Sequence, residues 1–411
     1  MSVNGCQSIA IVGAGQAAAQ AVETLRRRAY RGSIVLMGEE PELPYQRPPL
    51  SKKYLAGALE RTRLLIRPES YYSERGVDLR IGHRVQEIDR RNQRIRAEDG
   101  SASSAYDALL IATGSRSRLL SAAGVQFAGV HYLRTLGDAD RLRQELQPGR
   151  RAVVIGGGYI GLEAAATAAE CGLRVTVLEM ANRVMKRVVC RELSQFYETE
   201  HARHGVRILC NAQVRAINAD AAGRVRSVTC EDGSEHLADL VLIGVGVAAE
   251  DRLAADAGLE CANGIVVDTA CRTSDPRIFA AGDCTSHLSQ HYGRRVRLES
   301  VENAFEQGTT AALAMLGEPV VHDKVPWFWS DQYDLKLVIV GLSQGHDATV
   351  VRGDPASRSF SVCYLREREL IAIDTVNAPK DQMAARKLVA ARVNPNVEKL
   401  ADANCPLKEC L

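Results

Sequence analysis

Two glycine-rich turns constrain the fold of this chain more than any other feature. The first, Gly13-Ala14-Gly15-Gln16-Ala17-Ala18, follows an apolar run at 9–12 and predicts a helix to about residue 28 and a strand at 33–37. The second, Gly156-Gly157-Gly158-Tyr159-Ile160-Gly161, follows a run at 152–155 and predicts a helix to about residue 171 and a strand at 174–178. Strand, turn, helix and strand in this order form a βαβ unit, so the chain is expected to contain two nucleotide-binding domains.

Each turn has the residues that a dinucleotide pyrophosphate requires. A turn without side chains lets the phosphates approach a helix N-terminus, whose free N–H groups and dipole attract anions. Gly13 and Gly15 provide this turn in the first unit, and Ala18 replaces the third glycine, which only packs the helix against the strand. In the second unit Gly156, Gly158 and Gly161 complete the pattern.

An acidic residue at the end of the second strand of each unit is the expected acceptor for ribose hydroxyls. In the first unit this residue is Glu39, although its neighbour Glu40 could do the same work. In the second unit it is Glu179, which predicts NAD rather than NADP because a carboxylate repels the additional phosphate. Arg183 and Arg187 are either helix-face charges or residues that could tolerate that phosphate.

Three further apolar runs end in turns of small residues. They are 107–115 (DALLIATGS), 239–246 (DLVLIGVG, ending at Gly246) and 277–284 (RIFAAGDC). The last run delivers Asp283 to the carboxyl end of a strand, where open α/β sheets bind ligands. Beyond about residue 325, four β-rich runs at 335–340, 348–352, 359–365 and 369–374 predict an antiparallel sheet, followed by a helix at 380–393 and an irregular tail.

Composition excludes several other classes of protein. A net charge of +2 from 52 basic and 50 acidic residues gives no field that favours nucleic acid or a membrane surface. The chain has no apolar run of membrane-spanning length and begins without a secretory leader, so we expect a cytoplasmic protein. Its eleven cysteines include no CxxC pair, which argues against a metal site and against a redox-active disulfide.

The order of motifs resembles one family, the pyridine nucleotide-dependent ferredoxin reductases, and within it the branch of putidaredoxin reductase and its relatives. The similarity covers essentially the whole chain, and its most specific stretches are Pro48-Pro49-Leu50-Ser51-Lys52, 132–136 (YLRTL), 153–168, 326–333 (PWFWSDQY) and 374–379 (DTVNAP). The resemblance implies two Rossmann-like domains of the glutathione reductase type and a C-terminal α+β domain. The expected domains are 1–115 with 245–322 for FAD, 116–244 for NAD, and 323–411 at the C-terminus.

The resemblance also implies roles at matched positions. Lys52 would lie near the flavin and stabilise negative charge as hydride arrives. Ala17 would contact FAD through its backbone, Val85 would contact adenine, and Arg134 would lie beside the pyrophosphate. Asp283 would accept a hydrogen bond from a ribityl hydroxyl, and Val301 would contact the isoalloxazine through its main chain. The remaining cofactor contacts that we expect are Gly13, Gly15, Ala18, Glu39, Gly156, Gly158, Tyr159, Ile160, Gly161, Glu179 and Gly246.

Three side chains allow two interpretations each. Glu163 could point toward the nicotinamide pocket or be a buried capping acid. In the family, the segment with both tryptophans of this chain brings an aromatic ring to the flavin edge where the redox partner docks. Trp329 is the better candidate for that role, and Trp327 could equally be a core residue.

These features predict an FAD-dependent NADH:ferredoxin reductase. Flavin converts the two-electron donor NADH into a source of single electrons for a two-iron two-sulfur ferredoxin, which would supply a haem-thiolate monooxygenase. Alternatives are the reductase of a ring-hydroxylating dioxygenase and an NADH-sensing flavoprotein of the apoptosis-inducing type. An NADH oxidase or peroxidase of the same fold is disfavoured, because residues 43–53 contain no cysteine to lie beside the flavin.

The ferredoxin is expected to bind transiently to a reductase that is a monomer or a weak dimer. Ferredoxins are generally acidic, so the basic cluster Arg294, Arg295 and Arg297 is a candidate docking patch, with Arg67 as a further residue. The alternative is an ordinary solvated hairpin.

Overall fold

The computed structural model describes residues 6–410 of the chain, which fold as two compact units. The first unit comprises the segment ending at Gln46, Arg61–Arg116 and Ala248–Pro326. The second comprises Arg47–Glu60, Ser117–Val247 and the segment beginning at Trp327. No helix within the described residues is long and apolar enough to cross a membrane.

A five-stranded parallel sheet forms the centre of the first unit. Its strands, in spatial order, are Ile278–Ala280, Ala108–Ile111, Ser8–Val12, Ser33–Gly38 and Val77–Ile81. Four of these strands are nearly continuous apolar runs, as expected when both faces of a sheet are covered. On one face lie the helices Gln16–Arg27 and Val301–Met315, and their alanines pack on the sheet.

The first unit also contains two small sheets. Three antiparallel strands, Val85–Asp89, Arg94–Ala97 and Ser103–Ala105, pack in the same apolar cluster as the other face of the parallel sheet. The second small sheet consists of Ile265–Val267, Thr285–Ser289 and Arg294–Val296. Short helices occupy Glu69–Ser73 and Arg252–Asp256.

The second unit repeats the parallel arrangement. Its strands, in spatial order, are Arg207–Cys210, Arg174–Glu179, Arg151–Ile155, Leu240–Ile243 and Val130–Tyr132. The helices of this part are Leu136–Glu145, Tyr159–Glu170 and Arg191–Arg203. A three-stranded antiparallel sheet packs on this parallel sheet and consists of Val214–Ala219, Val225–Cys230 and Glu235–Leu237. The chain passes between the two units at the short strands Ser115–Ser117 and Val247–Ala249. Both predicted βαβ units are therefore confirmed.

The C-terminal part of the second unit is the predicted antiparallel sheet. It has five strands rather than four, in the order Trp327–Gln332, Leu335–Gly341, Glu369–Val376, Ser359–Arg366 and Ala348–Asp354. The helix predicted at 380–393 is observed at Pro379–Ala390, and it ends before Arg392, which has a left-handed φ of 52°.

The prediction of an irregular tail was wrong. A short helix, Val397–Ala401, begins where the Asn396 side chain accepts a hydrogen bond from the Lys399 N–H, and a 3₁₀ turn follows at Leu407–Glu409. Buried Arg352 donates hydrogen bonds to the carbonyl oxygens of Leu400 and Cys405, 3.3 and 2.6 Å away. These bonds anchor the tail to the sheet, a long-range effect that the local sequence does not reveal.

Candidate functional site

The glycine turn of the first unit leaves a helix N-terminus open. Gly13 has a φ of +104°, and a Cβ at this position would lie 2.2 Å from the carbonyl oxygen of Ala112. Gly15 is the N-cap of helix Gln16–Arg27, makes no side-chain cap hydrogen bond, and has no atom within 4 Å of where its Cβ would be. The free N–H groups of this turn of helix therefore face open space, which fits a pyrophosphate group.

Two helices and a turn pack closely against each other next to this glycine turn. A Cβ on Gly308 would lie 2.5 Å from the Ala17 carbonyl oxygen, so helix Val301–Met315 can approach helix Gln16–Arg27 only because residue 308 is glycine. Ala17 and Ala18 are both buried, and a Cβ on Gly282 would lie 3.5 Å from the Ala17 methyl group. Ala18 thus has the packing role predicted for the third glycine position.

Asp283 lies in the turn after strand Ile278–Ala280, and a hydrogen-bond network fixes this turn. The Ser115 hydroxyl donates to Asp283 Oδ2 at 2.8 Å. Gln307 Oε1 accepts hydrogen bonds from the Gly282 N–H and the Thr285 hydroxyl, each at 2.8 Å. Sequence analysis missed Ser115 and Gln307, although Ser115 directly follows the glycine of the ATGS turn.

The helix that begins at Val301 contains a second feature that fits a ligand. Ser300 caps this helix by accepting a hydrogen bond from the Asn303 N–H at 3.1 Å. The Oδ1 atom of Asn303 is buried and has no hydrogen-bond partner among residues 6–410. A hydroxyl or N–H group of a bound cofactor would satisfy this acceptor.

The two candidate ribose acceptors of the first unit differ in their surroundings. Glu40 Oε2 accepts a hydrogen bond from the Tyr45 hydroxyl at 2.6 Å. Glu39 is exposed and makes a loose ion pair with Arg84, at 3.8 Å. Glu39 is thus the more available carboxylate. Val85 begins the antiparallel strand Val85–Asp89 and is buried.

The second glycine turn repeats the geometry of the first. Gly156 has a φ of +107°, and a Cβ there would lie 2.5 Å from the Gly244 carbonyl oxygen. Gly158 is the N-cap of helix Tyr159–Glu170, again without a side-chain cap and with open space beside its α-carbon. Gly161 packs so closely that its Cβ would lie 2.1 Å from the Gly156 carbonyl oxygen. This turn also fits a dinucleotide pyrophosphate.

Glu179 lies beside this turn and is held by two backbone groups. Its Oε2 accepts a hydrogen bond from the Gly157 N–H at 2.6 Å, and its Oε1 accepts one from the Ala181 N–H at 2.7 Å. Arg183 donates to the Val189 carbonyl and the Ser194 hydroxyl, so it fixes a loop rather than facing this carboxylate. Arg187 is exposed, and one of its guanidinium nitrogens lies 3.8 Å from where a Gly246 Cβ would be.

The two residues after Gly158 have different environments. The ring of Tyr159 packs against Phe328, with ring centres 4.9 Å apart. Ile160, in contrast, is 44% exposed. Arg134, a predicted FAD contact, also lies in the second unit, where its carbonyl oxygen accepts a hydrogen bond from Arg47 at 2.8 Å.

Lys52 forms a largely buried ion pair with Glu163, and the distance between Lys52 Nζ and Glu163 Oε2 is 2.6 Å. The Ser51 hydroxyl donates to the same oxygen at 2.6 Å, and the Ser330 hydroxyl donates to Oε1 at 2.7 Å. Glu163 is therefore not a capping acid, because it binds side chains rather than helix N–H groups. Sequence analysis missed Ser51 and Ser330 as its partners.

The two tryptophans lie in strand Trp327–Gln332, and their ring centres are 5.6 Å apart. The guanidinium of Arg386 lies over the Trp327 ring at 4.1 Å. The indole N–H of Trp327 is buried without a hydrogen-bond partner among the described residues, a polar group that packing alone leaves unsatisfied. Trp329 is half-buried, as Trp327 is, and it stays the candidate for a functional aromatic ring.

The predicted cofactor residues thus form two groups, one in each unit. The first unit holds Gly13, Gly15, Ala17, Ala18, Glu39, Val85, Asp283 and Val301. The second unit holds Lys52, Arg134, Gly156, Gly158, Tyr159, Ile160, Gly161, Glu179, Gly246 and Trp329.

Comparison with known proteins gives close relatives over the full length. A 5,5'-dehydrodivanillate O-demethylase ferredoxin reductase subunit of Sphingobium is 44% identical over 97% of both chains. The ferredoxin–NAD(+) reductase component of an anthranilate 1,2-dioxygenase system from Burkholderia cepacia is 43% identical over 98% of both. A crystal structure of the covalent putidaredoxin reductase–putidaredoxin complex is similar with a TM-score of 0.95, at 41% identity over 98% of both chains.

Family models match nearly all of the chain. The model for pyridine nucleotide-disulphide oxidoreductases matches residues 7–308, and the reductase C-terminal model matches residues 327–411. Members of this family use FAD and NAD(H), so the predicted cofactors and fold class are confirmed. All eleven cysteines are free thiols in the structure. The chain belongs to the pyridine nucleotide-disulphide oxidoreductase family, in the group that carries a reductase C-terminal domain.

Proposed function

We propose that this protein is an FAD-dependent NADH:ferredoxin reductase. It takes electrons from NADH and passes them through FAD to a two-iron two-sulfur ferredoxin. The observation that carries this function is the combination of two open glycine turns with a buried lysine–glutamate pair in a chain without a paired redox cysteine. The ferredoxin reductase names of its relatives support the same activity.

Three regions divide the work. Residues 1–115 and 245–322 hold FAD, residues 116–244 hold NAD, and residues 323–411 form the C-terminal domain. Bound FAD supplies the conversion from one hydride to two single electrons. The rest of the chemistry is binding, orientation and charge, which the side chains of this chain provide.

The first unit binds FAD through the open turn at Gly13 and Gly15, with the Ala17 backbone beside it. Glu39 accepts the ribose hydroxyls, and Asp283, held by Ser115, accepts a ribityl hydroxyl. Val85 and Val301 contact the two ring systems through their main chains. Arg134, a residue of the second unit, is assigned to the pyrophosphate by the family resemblance alone.

The second unit binds NADH through Gly156, Gly158 and Gly161. Glu179 accepts the adenosine ribose hydroxyls, and its two backbone hydrogen bonds fix it in the orientation that excludes a phosphate. Tyr159, Ile160 and Gly246 complete this site.

Lys52 is the catalytic cation. Its ammonium group stabilises negative charge where the hydride arrives, and Glu163 holds this ammonium at 2.6 Å in a site largely closed to water. Trp329 provides an aromatic ring at the edge where electrons leave toward the ferredoxin. An aromatic ring there excludes water and packs against the partner.

Ferredoxin docks on basic residues of strand Arg294–Val296. Arg294 and Arg295 are exposed, whereas Arg297 is 10% exposed and forms an ion pair with Glu299. Arg67 is similarly paired with Glu23 at 2.8 Å. Transient docking depends on Arg294 and Arg295 because both are exposed at the surface, and complementary charge accelerates association without a large buried area.

The ferredoxin supplies a haem-thiolate monooxygenase. A second candidate, a ring-hydroxylating dioxygenase, is favoured by the Burkholderia relative, which belongs to an anthranilate 1,2-dioxygenase system. In either system the reductase is a monomer or weak dimer in the cytoplasm.

Stopped-flow mixing of the FAD-loaded protein with NADH and putidaredoxin, used as a probe ferredoxin, tests this function. We expect rapid loss of the oxidised cluster absorbance during many turnovers. A sensing flavoprotein would instead form a long-lived complex with the nicotinamide and leave the cluster oxidised. That outcome would overturn the proposed activity.

A further inference from the structure

A chain of buried hydrogen bonds runs from Glu163 to the protein surface. The Ser330 hydroxyl donates to Glu163 Oε1 at 2.7 Å, and Gln332 Nε2 donates to Ser330 Oγ at 3.2 Å. Gln332 Oε1 is 2.9 Å from His201 Nε2. His201 Nδ1 is 3.0 Å from the Tyr333 hydroxyl. The side chains of Ser330, Gln332 and His201 are fully or almost fully buried.

The secondary structure explains how these residues meet. Alternate residues of a strand point to the same face, so Phe328, Ser330 and Gln332 share one face of strand Trp327–Gln332. Phe328 contacts Tyr159 and Ser330 contacts Glu163, which is four residues further along the same helix. Gln332 contacts His201 on helix Arg191–Arg203.

The hydrogen bonds between Glu163 and Tyr333 all run in one direction. An ammonium and two hydroxyls surround the Glu163 carboxylate, which can only accept from them. Ser330 therefore accepts from the Gln332 amide N–H₂, and the amide oxygen is left to accept from His201 Nε2–H. His201 Nδ1 must then accept from the Tyr333 hydroxyl. Every donor in the chain points toward Glu163.

Two observations on His201 and Tyr333 agree with this direction. Burial lowers the pKa of His201 to about 4, which keeps the ring neutral with one N–H group. At the other end, the Tyr333 ring stacks on His204, with ring centres 3.7 Å apart, and both residues line a surface cavity. These hydrogen bonds thus connect the Glu163 carboxylate, which is 1% exposed, with Tyr333 at the surface.

We propose that His201 and Gln332 are positioning residues for the Lys52–Glu163 pair. They act through Ser330, whose hydroxyl they hold on Glu163 Oε1, so that Oε2 stays directed at Lys52. Buried amide and imidazole groups are costly unless they are hydrogen-bonded, and a strand–helix contact alone would be satisfied by apolar residues. The proposal rests on the proposed function only in placing Lys52 beside the flavin.

Two substitutions at Gln332 test this role. Gln332→Met removes the hydrogen bonds of this side chain to Ser330 and His201 and keeps its approximate size. In Gln332→Glu the new carboxylate accepts from both His201 and Ser330, which turns the Ser330 hydroxyl away from Glu163. The matched control is Tyr197→Phe in the same helix as His201, because the buried Tyr197 hydroxyl has no hydrogen-bond partner within the described part of the protein.

The readouts are the His201 tautomer and the reduction potential of bound FAD. The tautomer is measured by ¹⁵N NMR of histidine-labelled protein, with the His201 signal assigned from a His201→Asn variant. We expect the Nε2–H tautomer in the unsubstituted protein. The potential is measured by anaerobic dithionite titration with redox dyes, which needs neither NADH nor ferredoxin.

When the Lys52 ammonium is held less firmly, it stabilises the reduced flavin less. The reduction potential of bound FAD should therefore become more negative. We expect Gln332→Met to change the reduction equilibrium about fivefold, the effect of one ordinary hydrogen bond, which is about 20 mV for a two-electron couple. Gln332→Glu should shift it further in the same direction. Tyr197→Phe should leave it unchanged.

Three outcomes would overturn the positioning role. They are an Nδ1–H tautomer of His201, potentials that are unchanged in both Gln332 variants, and loss of FAD by both variants when the control retains it. The last would show that Gln332 is purely structural. If the potentials shift as expected but NADH does not reduce ferredoxin, the positioning role stands and the proposed function fails.

Discussion

Lys52 and Glu163 lie 111 positions apart in the sequence, yet their side chains form an ion pair at 2.6 Å. The glutamate is 1% exposed and the lysine 17%. Removal of one partner from such a pair leaves a buried charge without compensation, which typically costs about 3–5 kcal/mol. The pair joins the proline-rich loop that carries Lys52 to the helix that follows the second glycine turn.

The first prediction concerns nucleotide specificity. Glu179→Ser should raise the KM for NADH about 10- to 100-fold, because a charge-assisted hydrogen bond contributes about 1.5–3 kcal/mol. The KM for NADPH should change little or fall, since the repulsion of the additional phosphate is removed. Steady-state rates with both nucleotides measure this. A parent protein that already prefers NADPH would refute the assignment.

The second prediction concerns FAD retention. Asp283→Ala should weaken FAD binding by about 1.5–3 kcal/mol, the contribution of a hydrogen bond to a charged group. Ser115→Ala, which removes only the hydroxyl that holds Asp283 at 2.8 Å, should have a smaller effect in the same direction. Dialysis followed by the FAD absorbance of the retained protein measures both. Full retention by the aspartate variant would contradict the role.

The third prediction concerns ferredoxin docking. Reversal of Arg294 and Arg295 to glutamate should lower the second-order rate with ferredoxin, and the deficit should shrink as salt screens the charges. Reduction of a small artificial acceptor by NADH should hardly change. Arg252→Glu, an exposed arginine of the first unit outside this strand, is the control. If both activities fall together, the docking surface lies elsewhere.

The fourth prediction concerns pH and stability. Burial raises the pKa of Asp374 from its usual value near 3.8 to about 7, and none of the described residues forms a hydrogen bond with its Oδ1. Because the folded state holds this proton more tightly than the unfolded state, stability should fall as pH rises from about 4 through 7. The loss is on the order of 4 kcal/mol.

Asp374→Asn should remove this dependence of stability on pH. The stability of the variant relative to that of the parent should therefore be greater at pH 9 than at pH 5. Thermal unfolding of both proteins at each pH measures the difference. Burial lowers the pKa values of His201 and His322 to about 4 and about 3, so these two histidines reduce stability as pH falls below 6.5. Both proteins contain them, so their contributions cancel in the difference between variant and parent. A difference in unfolding temperature that does not change with pH would contradict the assignment.

Sequence predicted the parts of this molecule that local chemistry determines. The glycine turns placed helices Gln16–Arg27 and Tyr159–Glu170 within one or two residues of their observed ends, since turn, cap and periodicity all lie within the segment. Most β-runs after residue 325 were predicted for the same reason.

Contacts between distant segments were not predictable in this way. Glu163 looked like either a capping acid or a nicotinamide-side residue, and its actual partners come from residues 51, 52 and 330. The contact between His201 and Gln332 spans 131 positions. The tail helix depends on Arg352, which lies 48 positions before the Leu400 carbonyl that it binds. Such contacts follow from packing of whole elements, which no local pattern reports.

The central claim is that electrons pass from NADH through FAD singly to a two-iron two-sulfur ferredoxin. Anaerobic single-turnover mixing of FAD-loaded protein with one equivalent of NADH and an excess of oxidised ferredoxin measures it most directly. One NADH carries two electrons and each cluster accepts one, so two reduced ferredoxins should form per NADH, in two resolvable steps. Lys52→Met should slow the phase of NADH oxidation on the order of 100-fold and leave this stoichiometry unchanged. If NADH is consumed while the ferredoxin stays oxidised, the account is contradicted.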